Sequence, residues 1–118
     1  MNISDYLCMT YENPPCWLLV VDVYVNELAL KVKNYHAETD SGLSIARKFR
    51  HEIAKGEHGF VKIDKPEDFA VVLLSKPGNH CGVFYNGKVL HASIGGVVYQ
   101  DLLTLEDNYK TVEFWKRG

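Results

Sequence analysis

Apolar positions change period near residue 60. Before that point, Leu43, Ile45, Ala46, Phe49 and Ile53 recur at helical spacing. After it, residues 80–85 alternate: Cys81, Val83 and Tyr85 fall on one face of a strand, His80, Gly82 and Phe84 on the other. The first pattern predicts a helix over 40–55, capped by Asp40 or Ser41 and stopped at Lys55-Gly56. The second predicts a hairpin. Asn86-Gly87 is a strong signal for a two-residue type I′ turn, so residues 80–85 should pair with 88–92.

Residues 16–32 are locally ambiguous. Val20, Val21, Val23, Tyr24 and Val25 favour strand by propensity. The absence of Gly and Pro over this length favours helix, and Leu19, Val23, Leu28 and Leu30 permit a buried helical face. Helix is the expectation, starting at Pro15 or Cys16, because proline suits a first turn and disfavours helix before it. Residues 1–15 read as an irregular lead-in. Short β-rich runs follow at 60–63 and 69–75, a turn at Lys76-Pro77-Gly78-Asn79, and further strands at 97–100 and 111–115. The expected class is α+β: helical over 16–55 and an antiparallel sheet over 60–118.

The chain has 118 residues, 47% hydrophobic and 24% charged, which suits one soluble domain spanning 1–118. A formal net charge of -2 builds no basic field, so nucleic acid is not an expected partner. The patch Arg47-Lys48-Arg50 reads as a solvated helix face. The apolar run Leu18–Val25 contains Asp22 and is too short to span a bilayer. Met1-Asn2-Ile3-Ser4-Asp5 lacks the basic start of a signal peptide, so synthesis in the cytoplasm is expected. The three cysteines, Cys8, Cys16 and Cys81, include no Cys-x-x-Cys, which argues against a disulfide framework and a zinc ribbon. Neither metal nor cofactor is expected.

The candidate chemistry is a separated Cys/His set. Cys16 follows Pro14-Pro15 at an expected helix start, where unsatisfied N–H groups favour a thiolate. The alternative is a buried structural cysteine. Trp17 could wall a pocket. Extending the hairpin register pairs Gly82 with His91 and Cys81 with Ala92, and sets His91 diagonal to His80 on one face. His80 could then be a base with His91 holding its second nitrogen, the logic of a nucleophile–base–orienter triad. Gly82 would leave room above the sheet for substrate or for the helix bearing Cys16. Cys81 should point away from His80, and Cys8 lacks a helix start. His36, His51 and His58 share no ligand spacing and read as solvated. Asp22 and Glu27 could pair as carboxylates, but nothing places them near a base.

Three segments carry a family resemblance: Pro15-Cys16-Trp17-Leu18-Leu19-Val20, His80-Cys81-Gly82-Val83-Phe84-Tyr85 and Val89-Leu90-His91-Ala92. They are similar to the Asp-Cys-Trp-Gly-Leu-Val-like helix start, the His-Val-Gly-Ile-Tyr strand and the Val-Leu-His-Ala strand of the NlpC/P60 cell-wall peptidases. Asp22-Val23-Tyr24 resembles the continuation seen in their phage-tail branch. The resemblance covers about residues 11–118.

It implies a papain-like fold, with Cys16 as nucleophile, His80 as base and His91 as the polar third member. It implies a tyrosine near the oxyanion site, Tyr11 rather than Tyr6. The implied activity is hydrolysis of amide bonds in peptidoglycan stem peptides, without cofactor. The implied partners are the wall peptide and other phage tail proteins, which would make the protein virion-associated. Pro15 and Leu18 stand where the family commonly has an acidic or polar residue and a glycine. That departure favours an alternative, a non-catalytic tail-assembly or scaffold protein on the same fold. A second alternative is an acyltransferase or amidase using the same dyad.

Overall fold

A single apolar run, Val71-Val72-Leu73-Leu74, organises the molecule. In the computed structural model it forms strand β2 (Val71–Ser75), and every one of its residues is buried. Alternate side chains of a strand point to opposite faces. Val71 and Leu73 therefore enter one apolar cluster and Val72 and Leu74 another. The structure describes residues 1–11, 15–32, 59–76, 79–93 and 95–117. The helix expected at 40–55, the Pro77-Gly78 turn, the Arg47-Lys48-Arg50 patch and His36, His51 and His58 lie outside the described residues.

Around β2 the chain builds β1 (Phe60–Ile63), β3 (Asn79–Tyr85), β4 (Lys88–Ser93), β5 (Gly96–Asp101) and β6 (Thr111–Arg117). They form one six-stranded sheet in the order β1-β6-β2-β3-β4-β5, every neighbouring pair antiparallel. Helices α1 (Ile3–Leu7) and α2 (Pro15–Leu28) precede the sheet, and α3 (Leu102–Asn108) links β5 to β6. The protein is a small α+β protein, as the change of period implies. Among the described residues no helix is long and apolar enough to cross a membrane.

Helix α2 forms despite its valines because of what it buries. Trp17, Leu19, Val20, Val23 and Tyr24 pack with Val71, Leu73, Cys81, Val83 and Leu90 of the sheet. Burying side chains of this size stabilises by roughly 1.5–3 kcal/mol each, well above a β-branched residue's helix penalty of a few tenths. The helix stops at Leu28, short of the end expected at Val32. Ala29 turns left-handed at φ 53°, and the Leu30 N–H closes on the Tyr24 carbonyl at 3.1 Å.

The Tyr24 hydroxyl also donates to the Phe69 carbonyl at 2.5 Å, tying α2 to the entry of β2. Tyr24→Phe is expected to lower the free energy of unfolding by about 1–2 kcal/mol, since it leaves that carbonyl without this donor. Urea denaturation measures it.

Two further expectations are corrected. The lead-in is not wholly irregular: Asn2 caps α1, its Oδ1 accepting from the Ser4 N–H at 3.2 Å, and Tyr6 is buried. The 60–118 region is not all sheet, because α3 buries Leu105 against Val72, Leu74, Phe84 and Val89. A short helix is decided by one such contact more than by its own seven residues.

The hairpin behaves as its turn dictates. Asn86 and Gly87 both have positive φ, 48° and 87°, as a type I′ turn requires. Tyr85 pairs with Lys88, Phe84 with Val89 and Val83 with Leu90.

Candidate active site

Pro15 is the first residue of α2, a position where a missing N–H costs nothing. Cys16 comes next, so its thiol sits in the first turn among N–H groups that have no partner within the helix. It is partly exposed, whereas Cys81 is buried. The thiol of Cys16 is lowered from the ordinary 9.0 to about 5. The largest cause is a hydrogen bond with Cys81; burial opposes it, and a hydrogen bond and the charge of His80 add to the lowering. Cys81 moves the other way, well up, because it bonds to Cys16, is enclosed and feels the charge of Cys16. The negative charge thus resides on the thiol nearer water, where ionisation costs less.

His80 is the second residue of β3 and His91 lies within β4. Their rings meet edge to face, centroids 5.0 Å apart at 85°, with His80 Nε2 and His91 Nδ1 at 2.9 Å. His91 Nε2 lies 2.6 Å from Gln100 Oε1 on β5. The imidazole of His91 is lowered from its usual value chiefly by burial; the Gln100 bond opposes this, the His80 charge adds to it, and the charge of Cys16 opposes it. Tyr109, just after α3, stacks on His80 with centroids 6.2 Å apart and planes 13° off parallel. Burial first, then the charge of Cys16, raises its hydroxyl's pKa.

The structure therefore joins Cys16, His80 and His91, the three residues singled out by spacing. It does so with a different use of the faces. Leu74 stands directly opposite His80, so both belong to the α3 side of the sheet. Helix α2 packs on the other side, with Cys81 and Val83. Cys16 reaches both His80 and Cys81, consecutive residues of β3, so the first turn of α2 ends over the start of that strand. Cys81 is accordingly a neighbour of the reactive sulfur and not a remote core thiol.

Gly82 also has a different purpose from the one its position suggested. A Cβ there would lie 2.7 Å from the Leu90 carbonyl, 2.8 Å from Val89 Cγ1 and 3.0 Å from His91 Cβ. The missing side chain makes room for β4 itself, not for substrate, and that close approach lets the imidazoles touch. Gly82→Ala is expected to cost on the order of 1–3 kcal/mol by overpacking and to part the histidines. Thermal unfolding and the loss of the His80–His91 hydrogen bond in NMR spectra measure the two effects.

Trp17 is not a pocket wall. It is 1% exposed, a core side chain facing the sheet, because α2 turns its largest apolar group inward. The Tyr11 hydroxyl donates to Asp22 Oδ2 at 2.6 Å and is pushed up by burial and then by that bond; its proton is engaged there. Tyr6 is buried in the core. Tyr11 and Asp22, with Met9, Leu18, Val21 and Val25, line a groove of about 340 Å³ along α2, on the face of the helix opposite Cys16.

Gln100, Tyr109 and Cys81 are the site residues that sequence reasoning misses. Gln100 and Tyr109 carry no spacing signal, since their places depend on the β4–β5 register and the path of α3. Among the described residues, no group of three or more His, Cys, Asp or Glu could hold a metal ion. Compared with known proteins, the chain matches no family model and no curated protein.

Proposed function

We propose that this protein is a cysteine peptidase of the NlpC/P60 type, with a papain-like arrangement of helix and sheet. It hydrolyses amide bonds in bacterial peptidoglycan stem peptides, as part of a phage tail. One observation carries the chemistry: a thiol in the first turn of α2 is lowered to about 5 with His80 among the neighbours that lower it, and His80 Nε2 lies 2.9 Å from His91 Nδ1. A nucleophile, a base and an orienter set side by side support acyl transfer. The substrate class rests on the resemblance of the Cys16, His80 and His91 segments to that family.

The Cys16 thiolate attacks the amide carbonyl, and the tetrahedral oxyanion is held by the Cys16 backbone N–H. His80 carries the proton and delivers it to the leaving amine, leaving a thioester on Cys16. His80 then takes a proton from water, whose attack releases the acid and restores the thiol.

Purified protein incubated with muropeptides, read by mass spectrometry, tests this. New fragments whose appearance depends on Cys16 support the reading. No cleavage by the protein alone or with tail proteins, together with normal phage assembly by a Cys16→Ala protein, would replace it with the scaffold alternative. Transfer of the acyl group to an added amine, without hydrolysis, would replace it with the acyltransferase alternative.

A further inference from the structure

The triad does not end at His91. We propose that Gln100 is a positioning residue that sets the tautomer of His91, and through it that of His80, so that the His80 nitrogen facing Cys16 is free to receive a proton. The role in turnover rests on the peptidase reading; the proton arrangement does not.

The placement comes from register. Val98 stands opposite His91 and Gln100 opposite Val89. Val89 and His91 alternate onto one face of β4, so Gln100 is the diagonal neighbour of His91 on that face. Its Oε1 meets His91 Nε2 at 2.6 Å. An amide oxygen only accepts, so His91 Nε2 must carry the hydrogen. A neutral imidazole has one N–H, hence His91 Nδ1 is an acceptor. Burial holds His91 below its usual range and so keeps it neutral.

The nitrogen of His80 at 2.9 Å from that acceptor is Nε2, which must therefore donate. Neutral His80 then has its lone pair on Nδ1, the nitrogen left for Cys16. Reversing the Gln100 amide reverses every step. His91 would donate from Nδ1, His80 would accept at Nε2, and neutral His80 would present an N–H to the thiol. In that state it cannot act as a base. A wrong tautomer in an otherwise intact triad costs orders of magnitude in rate.

Three variants test this: Gln100→Leu, which removes the acceptor, Gln100→Glu, which keeps one, and Cys16→Ala as the background. In Cys16→Ala protein, long-range ¹H–¹⁵N spectra recorded across a pH series identify the tautomer of each ring where it shows neutral-imidazole shifts. The expected result is a proton on Nε2 of both histidines. Gln100→Leu should give mixed tautomers, and Gln100→Glu should retain the original ones. In protein with Cys16 intact, the pH midpoint of iodoacetamide labelling of Cys16, near 5 with Gln100 present, should rise in Gln100→Leu and stay nearly in place in Gln100→Glu.

Unchanged tautomers in Gln100→Leu, or protons on Nδ1 with Gln100 present, overturn the proposal. So does a Gln100→Glu protein that behaves like Gln100→Leu. None of these readouts needs peptide cleavage. An inactive protein with the expected tautomers would therefore sink the peptidase reading alone.

Discussion

Replacing Cys16 by alanine is expected to abolish cleavage of wall-derived peptides, with a loss of about 10⁶-fold in turnover. On the proposed peptidase reading, loss of the nucleophile costs about that much, because what remains is binding and oxyanion stabilisation. The fold should survive. Cys16 is partly exposed and packs only at the margin of the core, so the truncation should cost on the order of 1 kcal/mol in urea denaturation. A large loss of stability would mean that Cys16 is a structural core residue. Full activity in the variant would remove it from the chemistry altogether.

His80→Ala is expected to be nearly as severe, since a nucleophile and its base act as one unit. It carries a second readout that needs no substrate. Thiolate, not thiol, is alkylated, so labelling of Cys16 by iodoacetamide should stay fast down to pH near 5 and fall below it. Removing His80 deletes one hydrogen bond and one charge that favour the thiolate, and leaves the Cys81 bond in place. The labelling midpoint must therefore rise. A midpoint that does not move would mean that His80 does not face the sulfur. Cys81, whose ionisation is suppressed, should label last in either protein.

The same two thiols fix the sign of a pH effect on stability. Cys16 is depressed relative to its unfolded value, so its ionisation stabilises the fold in full above the ordinary 9.0. That contribution is lost as pH falls towards about 5. Cys81 is raised, so it opposes unfolding as the neutral thiol and loses that contribution as pH rises above the ordinary thiol range.

Much of the site was legible because it depends on local rules. Pro15 marks the start of α2 and so places Cys16 in its first turn. Asn86-Gly87 sets a two-residue turn, and three matched pairs follow from it by counting. That register brings His80 beside His91, as found. The run Val71–Leu74 reads as strand from its β-branched and apolar residues. The departures have equally specific causes. Residues 29–32 leave the helix because Ala29 adopts a left-handed turn that no local signal announces. Gly82 has no side chain to declare what approaches it, and the answer is a neighbouring strand.

By itself, then, the sequence determined the α+β order, the hairpin register and the residues able to do the chemistry. Those are properties of turn chemistry, periodicity and proline placement, each settled within about ten residues along the chain. Only the tertiary structure decided that α2 lies on the Cys81 face, that Cys81 neighbours Cys16, and that Gln100 and Tyr109 complete the surroundings of the histidines. The physical reason is that these contacts join different elements. Which face a helix covers is settled by the total apolar area it buries, and which side chain meets a ring is settled by the register of a strand whose turn carries no strong code. Neither quantity belongs to any one segment.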